Sequence, residues 1–89
     1  MRSLPAVLTL REAAACAALM RVDAEAEPGP VVLVDAAALV RFDSSALAVL
    51  LACRRAAMAC GKGFAVKGLT PGLLSLAALY GVAELLPAP

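Results

Sequence analysis

The sequence predicts a small α/β fold, a mostly parallel or mixed sheet with helices packed on it. Three observations predict it. Short apolar, partly β-branched runs at 6–10, 31–35 and 64–67 read as strands. Each is followed by an Ala- and Leu-rich stretch free of internal Gly and Pro, as helices require. The resulting order, strand-helix three times over, implies parallel pairing through right-handed crossovers. With 89 residues and no linker long enough to divide them, the chain reads as a single domain over 1–89.

The first strand is Ala6-Val7-Leu8-Thr9-Leu10. Arg11-Glu12 opens a helix to about Glu25, with Cys16, Leu19 and Met20 on one apolar stripe at i, i+3 and i+4. Pro28-Gly29-Pro30 ends that unit as a loop. Val31-Val32-Leu33-Val34-Asp35 is continuous and apolar, the pattern of a strand buried on both faces. Ala36–Val40 reads as a connecting turn. A long helix runs from Ser44 to about Cys60 with two apolar stripes. One holds Leu47, Leu50, Leu51 and Met58 with Arg54 inside it, and the other holds Val49, Cys53, Ala56 and Cys60. A helix apolar on two sides is buried on both or offers one to a partner. Gly61-Lys62-Gly63 stops it, and Phe64–Lys67 is the third strand. Thr70 caps the last helix, with Pro71 at its first position and Gly81 at its end. Leu73, Leu76, Ala77 and Tyr80 share one face of that helix, and Val82–Pro89 is a short tail.

Composition narrows the function. Hydrophobic residues make up 63% of the chain and aromatics only 3%, so apolar surface is expected to remain exposed and to mark an interface. Net charge is +1 with the basic residues scattered, which argues against a nucleic-acid partner. Three cysteines without CxxC spacing, and no histidine, argue against a metal site or a disulfide framework. Cys16, Cys53 and Cys60 are expected to be buried free thiols. No signal peptide is visible, and the uncharged stretch Gly68–Ala83 is too short to span a bilayer and is broken by Pro71-Gly72. A cytoplasmic protein is expected.

Without histidine, no Ser-His or Cys-His nucleophile can be assembled. The glycines form neither GxGxxG nor a P-loop. Asp35 and Asp43 alone are a weak signal for acid–base work. Neither enzyme activity nor a cofactor is expected. The chemistry-bearing stretch is Asp43-Ser44-Ser45, where an acid and two hydroxyls precede a helix. It reads either as a structural N-cap or as a hydroxyl displayed at a helix N-terminus for a partner or a phosphate.

Val31–Asp35 followed by Phe42-Asp43-Ser44-Ser45-Ala46-Leu47-Ala48-Val49-Leu50-Leu51 resembles the signature of STAS domains. This family includes anti-sigma-factor antagonists and regulatory modules of transporters. Leu76–Val82, then Leu85-Leu86-Pro87, resembles the C-terminus of the MlaB-type group, the small cytoplasmic subunit of the phospholipid ABC transporter that maintains outer-membrane lipid asymmetry. The resemblance implies a STAS-like fold and a non-catalytic binding module whose partner is an ABC transporter ATPase subunit. The alternative partner is an anti-sigma-factor kinase that phosphorylates Ser44. Ser44 corresponds to the hydroxyl residue at that contact, with Asp43, Ser45, Ala46, Leu47, Thr70 and the start of the last helix flanking it. The membrane is then met only through the transporter complex. A carrier of lipid or nucleotide in an alanine-lined interior is a further reading, and close Ala packing argues against it. Two features depart from the family. Only one strand fits before the first helix where many STAS domains have two, which leaves the sheet smaller or its edge for a partner. Ala46 stands where Gly is common.

Overall fold

The computed structural model describes residues 2–89. Its strands are β1 (Arg2–Ser3), β2 (Val7–Leu8), β3 (Val31–Asp35), β4 (Arg41–Phe42) and β5 (Gly63–Lys67). Its helices are α1 (Leu10–Ala26), α2 (Ser44–Ala59) and α3 (Pro71–Leu79), followed by a 3₁₀ turn at Ala83–Leu85. β1, β3 and β5 form one sheet in that order, and β2 pairs with β4 in a second; every pairing is parallel. This is the small α/β fold with parallel pairing that the alternation of elements predicts, and it is consistent with the STAS-like fold that the resemblance implies.

Two expectations about strands are corrected. Two strands precede α1, not one. Arg2–Ser3 pairs with Val34–Asp35, so the edge position beside β3 is filled by the chain itself. Two-residue strands carry no periodicity, so Arg41–Phe42 escaped notice for the same reason. β3 is also not buried on both faces. The register Val32↔Phe64 and Val34↔Val66 points these four side chains to one face, where Val32, Val34 and Val66 join the core. Val31 and Asp35, on the other face, keep solvent contact. Ala65 is buried on that face but stands outside the main cluster.

The core gathers Leu4, Leu8, Met20, Ala24, Leu50 and Cys53 with those strand residues. A fully buried Leu or Met contributes about 1.5–3 kcal/mol through its removal from water. α1 and α2 form the main helix–helix contact, and alanines let them approach closely. The core face of α2 is Ala46, Leu47, Val49, Leu50, Cys53 and Ala57, two from each stripe read in the sequence and Ala46 and Ala57 from neither. Met58 and Cys60 are exposed, so neither stripe is buried along its whole length. In α1, Met20 and Ala24 are buried while Leu19 faces solvent. The tail is not loose: Leu86 is buried, and the Val66 amide donates to the Pro87 carbonyl at 2.8 Å on the free side of β5.

The cysteines divide three ways. Cys53 is buried, Cys16 is half-buried and Cys60 is exposed, which corrects the expectation of three buried thiols. Cys60 is the C-cap of α2, one residue before Gly61, and its side chain has left the helix's buried face by that point.

Candidate partner-binding site

Asp43 is the N-cap of α2. Its extended backbone turns the chain out of β4, and its Oδ1 accepts from the Ser45 amide at 2.8 Å. This satisfies one of the amides left free in the first helical turn. Its Oδ2 accepts from the Leu10 amide at 3.1 Å, at the start of α1. The Ser45 amide does most to hold the Asp43 carboxyl below its ordinary pKa; desolvation opposes it, and the Leu10 amide lowers it further by a smaller amount. Asp35 is separately engaged, with the Ala37 amide at 2.9 Å and Lys67 Nζ at 4.0 Å. The two acids form no shared carboxylate pair.

Because Asp43 is the cap, the Ser44 hydroxyl is free of that duty. Ser44 occupies the first helical position, is exposed, and makes no side-chain hydrogen bond among the described residues. It stands at one end of an open groove of about 370 Å³ lined by Ser44, Leu47, Ala48, Leu51, Tyr80 and Val82. Ser44, Ala48 and Leu51 lie at i, i+4 and i+7 along one side of α2. The opposite wall is the end of α3. There Gly81 adopts φ +71°, a conformation that a Cβ disfavours. The Gly81 and Val82 amides turn back onto Ala78 and Ala77, which carries Val82 round to the groove. Tyr80 is 59% exposed, although its place on the apolar face of α3 pointed to the core.

The residues singled out in the sequence fall in different environments. Ser44 is on the surface and Ser45 is half-buried. Ala46 is fully buried and Leu47 is 3% exposed, so the first faces the core and the second forms the groove floor. Thr70 caps α3, its Oγ1 accepting from the Leu73 amide at 3.3 Å. The start of α3 lies beside β4: a Cβ built on Gly72 would come within 3.2 Å of the Phe42 ring. The surface at Ser44 therefore owes its walls to Ala48, Leu51, Tyr80 and Val82. The spacing of Ser44, Ala48 and Leu51 was available as a signal. Nothing local announced that Tyr80 and Val82 would meet them.

No charged side chain lines this groove, and among the described residues no cluster of His, Cys, Asp or Glu could hold a metal ion. The groove thus presents one hydroxyl on an otherwise apolar concave surface. The chain belongs to the STAS domain family: the family model described as "Mlab, STAS domain" matches residues 3–87. A comparison with curated proteins finds no match. STAS domains are in general regulatory and binding domains without catalysis of their own, and nothing here shows catalytic activity. None of the three helices is long and apolar enough to cross a membrane, among the described residues.

Proposed function

We propose that this chain is a non-catalytic STAS subunit that binds and stabilises or regulates the ATPase of a phospholipid ABC transporter maintaining outer-membrane lipid asymmetry. The observation that carries the reading is the match of residues 3–87 to the Mlab-type STAS model. The groove beginning at Ser44 supports it as a docking surface, because it is concave, apolar and already formed without a partner. In this reading the chain works on the cytoplasmic side and meets the membrane only through the transporter.

One observation favours a second reading, an anti-sigma-factor antagonist regulated by phosphorylation at Ser44. The hydroxyl is exposed in the first turn of α2, where amides and the helix dipole accommodate a phosphate. One experiment separates the two. The protein is titrated by calorimetry against a phospholipid-transporter ABC ATPase and against an anti-sigma-factor kinase, both from the same cell. Saturable one-to-one binding to the ATPase, lost on Leu51→Asp, is the expected result. Binding to the kinase alone, with ATP-dependent modification of Ser44, overturns the transporter reading in favour of the other.

A further inference from the structure

The Asp43 carboxylate does more than cap α2. Its two oxygens engage amides far apart in sequence, Ser45 at the start of α2 (2.8 Å) and Leu10, 33 residues before Asp43, at the start of α1 (3.1 Å). Around it the β2–β4 pair, Val7↔Arg41 and Leu8↔Phe42, holds the two chain segments side by side just before each helix begins. The Val40 and Arg41 amides both donate to the Ala6 carbonyl, at 2.8 and 2.9 Å. The first turn of α1 is otherwise closed on itself, with the Glu12 carboxylate accepting from the Thr9 amide and hydroxyl. Asp43 is thus the side chain that ties the first turn of α1 to the first turn of α2, one residue from Ser44.

We propose that Asp43 is a positioning residue that couples the surface at Ser44 to the N-terminus of α1. The inference rests on the reading of that surface as the docking site, and it goes further by giving the surface a mechanical link to a second helix. A negative charge or a partner group at Ser44 competes with the Asp43 carboxylate for the amides of α2's first turn and repels it. Among the described residues the carboxylate's partners are the Ser45 and Leu10 amides, so its displacement from the first is transmitted to the second. In the other direction, release of α1's first turn frees Asp43 to reorient and loosens the backbone that presents Ser44.

A substitution that breaks one arm of this link without touching the other is available. Leu10→Pro deletes the amide that donates to Oδ2, while the Asp43–Ser45 cap has no reason to change. Proline is tolerated at the first helical position, Thr9 before it is extended, and the Leu10 side chain is 76% exposed. Leu10→Ala removes the side chain and keeps the amide, as control. The partner-free readout is the amide resonances of Arg11–Ala13 in ¹H–¹⁵N spectra of the whole chain. Ser44→Glu is expected to shift them in the wild-type and Leu10→Ala backgrounds and to leave them in place in Leu10→Pro. Equal shifts in all three backgrounds, or none in wild type, overturn the proposal. Should Leu10→Pro fail to fold, Asp43→Asn combined with Ser44→Glu gives the same comparison. With the ATPase, Leu10→Pro is expected to weaken binding by about fivefold, the lower end of typical coupling between sites, while Leu10→Ala does not. Unchanged affinity for Leu10→Pro, where wild type does bind, also counts against the coupling. If wild type binds no ATPase yet the shifts behave as expected, the docking reading fails and the coupling stands.

Discussion

Replacing Ser44 by Glu separates the folding role of the α2 N-terminus from its proposed binding role. The folded state has little reason to resist the change. Ser44 is exposed, its hydroxyl makes no side-chain hydrogen bond among the described residues, and the cap is Asp43. A carboxylate in the first turn gains about 0.3–1 kcal/mol from the helix dipole. Repulsion from Asp43 acts against that gain, so the net effect on stability is expected to stay within about 0.5 kcal/mol, typical of surface substitutions. For a domain of this size that corresponds to a Tm shift of at most about 4 °C. Binding is different. The groove offers Leu47, Ala48, Leu51, Tyr80 and Val82 around position 44 and no cation. A carboxylate buried there by a partner stays unpaired, which costs about 3–5 kcal/mol. At 1.4 kcal/mol per tenfold, the loss of affinity is at least about a hundredfold. Ser44→Ala is expected to match wild type in both measurements. Thermal melts and calorimetric titration with the ATPase on the three proteins are the assay. A Ser44→Glu protein that melts like wild type and binds as tightly refutes the placement of Ser44 at the interface.

Other outcomes follow from the same structure. Native labelling with a thiol reagent is expected to be fast at Cys60 and slow at Cys16 and Cys53. Burial raises the Cys16 thiol, and burial, then Asp23, then Cys16 push Cys53 up to about 11; uniform labelling of all three would contradict this. In acid, Glu12 and Asp43 are both held below their ordinary values of 4.5 and 3.8, Glu12 chiefly by the Thr9 amide and then its hydroxyl. Their stabilisation is complete above those values and is lost as pH falls through the lower folded-state ones. Tm should therefore be level with respect to these groups at milder pH and fall below it, with part of the acid step missing in Glu12→Gln. Gly68→Ala should lower Tm, since position 68 has φ +72° and a Cβ there would lie 2.9 Å from the Ala37 amide nitrogen; an unchanged melt would show that the loop relaxes freely. The isolated protein should self-associate more than its complex, because Met58, Leu79 and Tyr80 remain exposed; sedimentation showing a strict monomer at high concentration would count against a partner-covered surface.

What the sequence made legible divides along the range of the interactions that fix each feature. Helix starts are set within four residues, so Thr70 with Pro71, and Asp43 before Ser44, could be read directly and stand as caps in the structure. Five-residue strands were likewise visible from β-branching in Val31–Asp35. The two-residue strands at Arg2–Ser3 and Arg41–Phe42 were not, because they exist only through the partners they pair with. Burial depended on still longer range. Periodicity placed Leu19, Met58 and Tyr80 among apolar stripes, but which part of a stripe is covered depends on where neighbouring elements end.

The candidate site shows the same division, and the division bears on how it works. Asp43 was legible as a cap from its own four residues; its second bond, to Leu10, was not, because no local pattern relates positions 10 and 43. Ser44, Ala48 and Leu51 share a helix face by spacing alone, whereas Tyr80 and Val82 arrive from the other end of the chain through the Gly81 turn. A surface assembled from α2's first two turns and the end of α3 is held by few direct contacts between those two helices. Its geometry therefore depends on the carboxylate at Asp43, the Schellman turn at Gly81 and the shared core of Leu47, Leu50, Leu73 and Ala77. Loss of any one of these should alter the groove's shape before it unfolds the domain. Binding is consequently expected to be more sensitive than Tm to substitutions at these supports, although none of them needs to touch the partner.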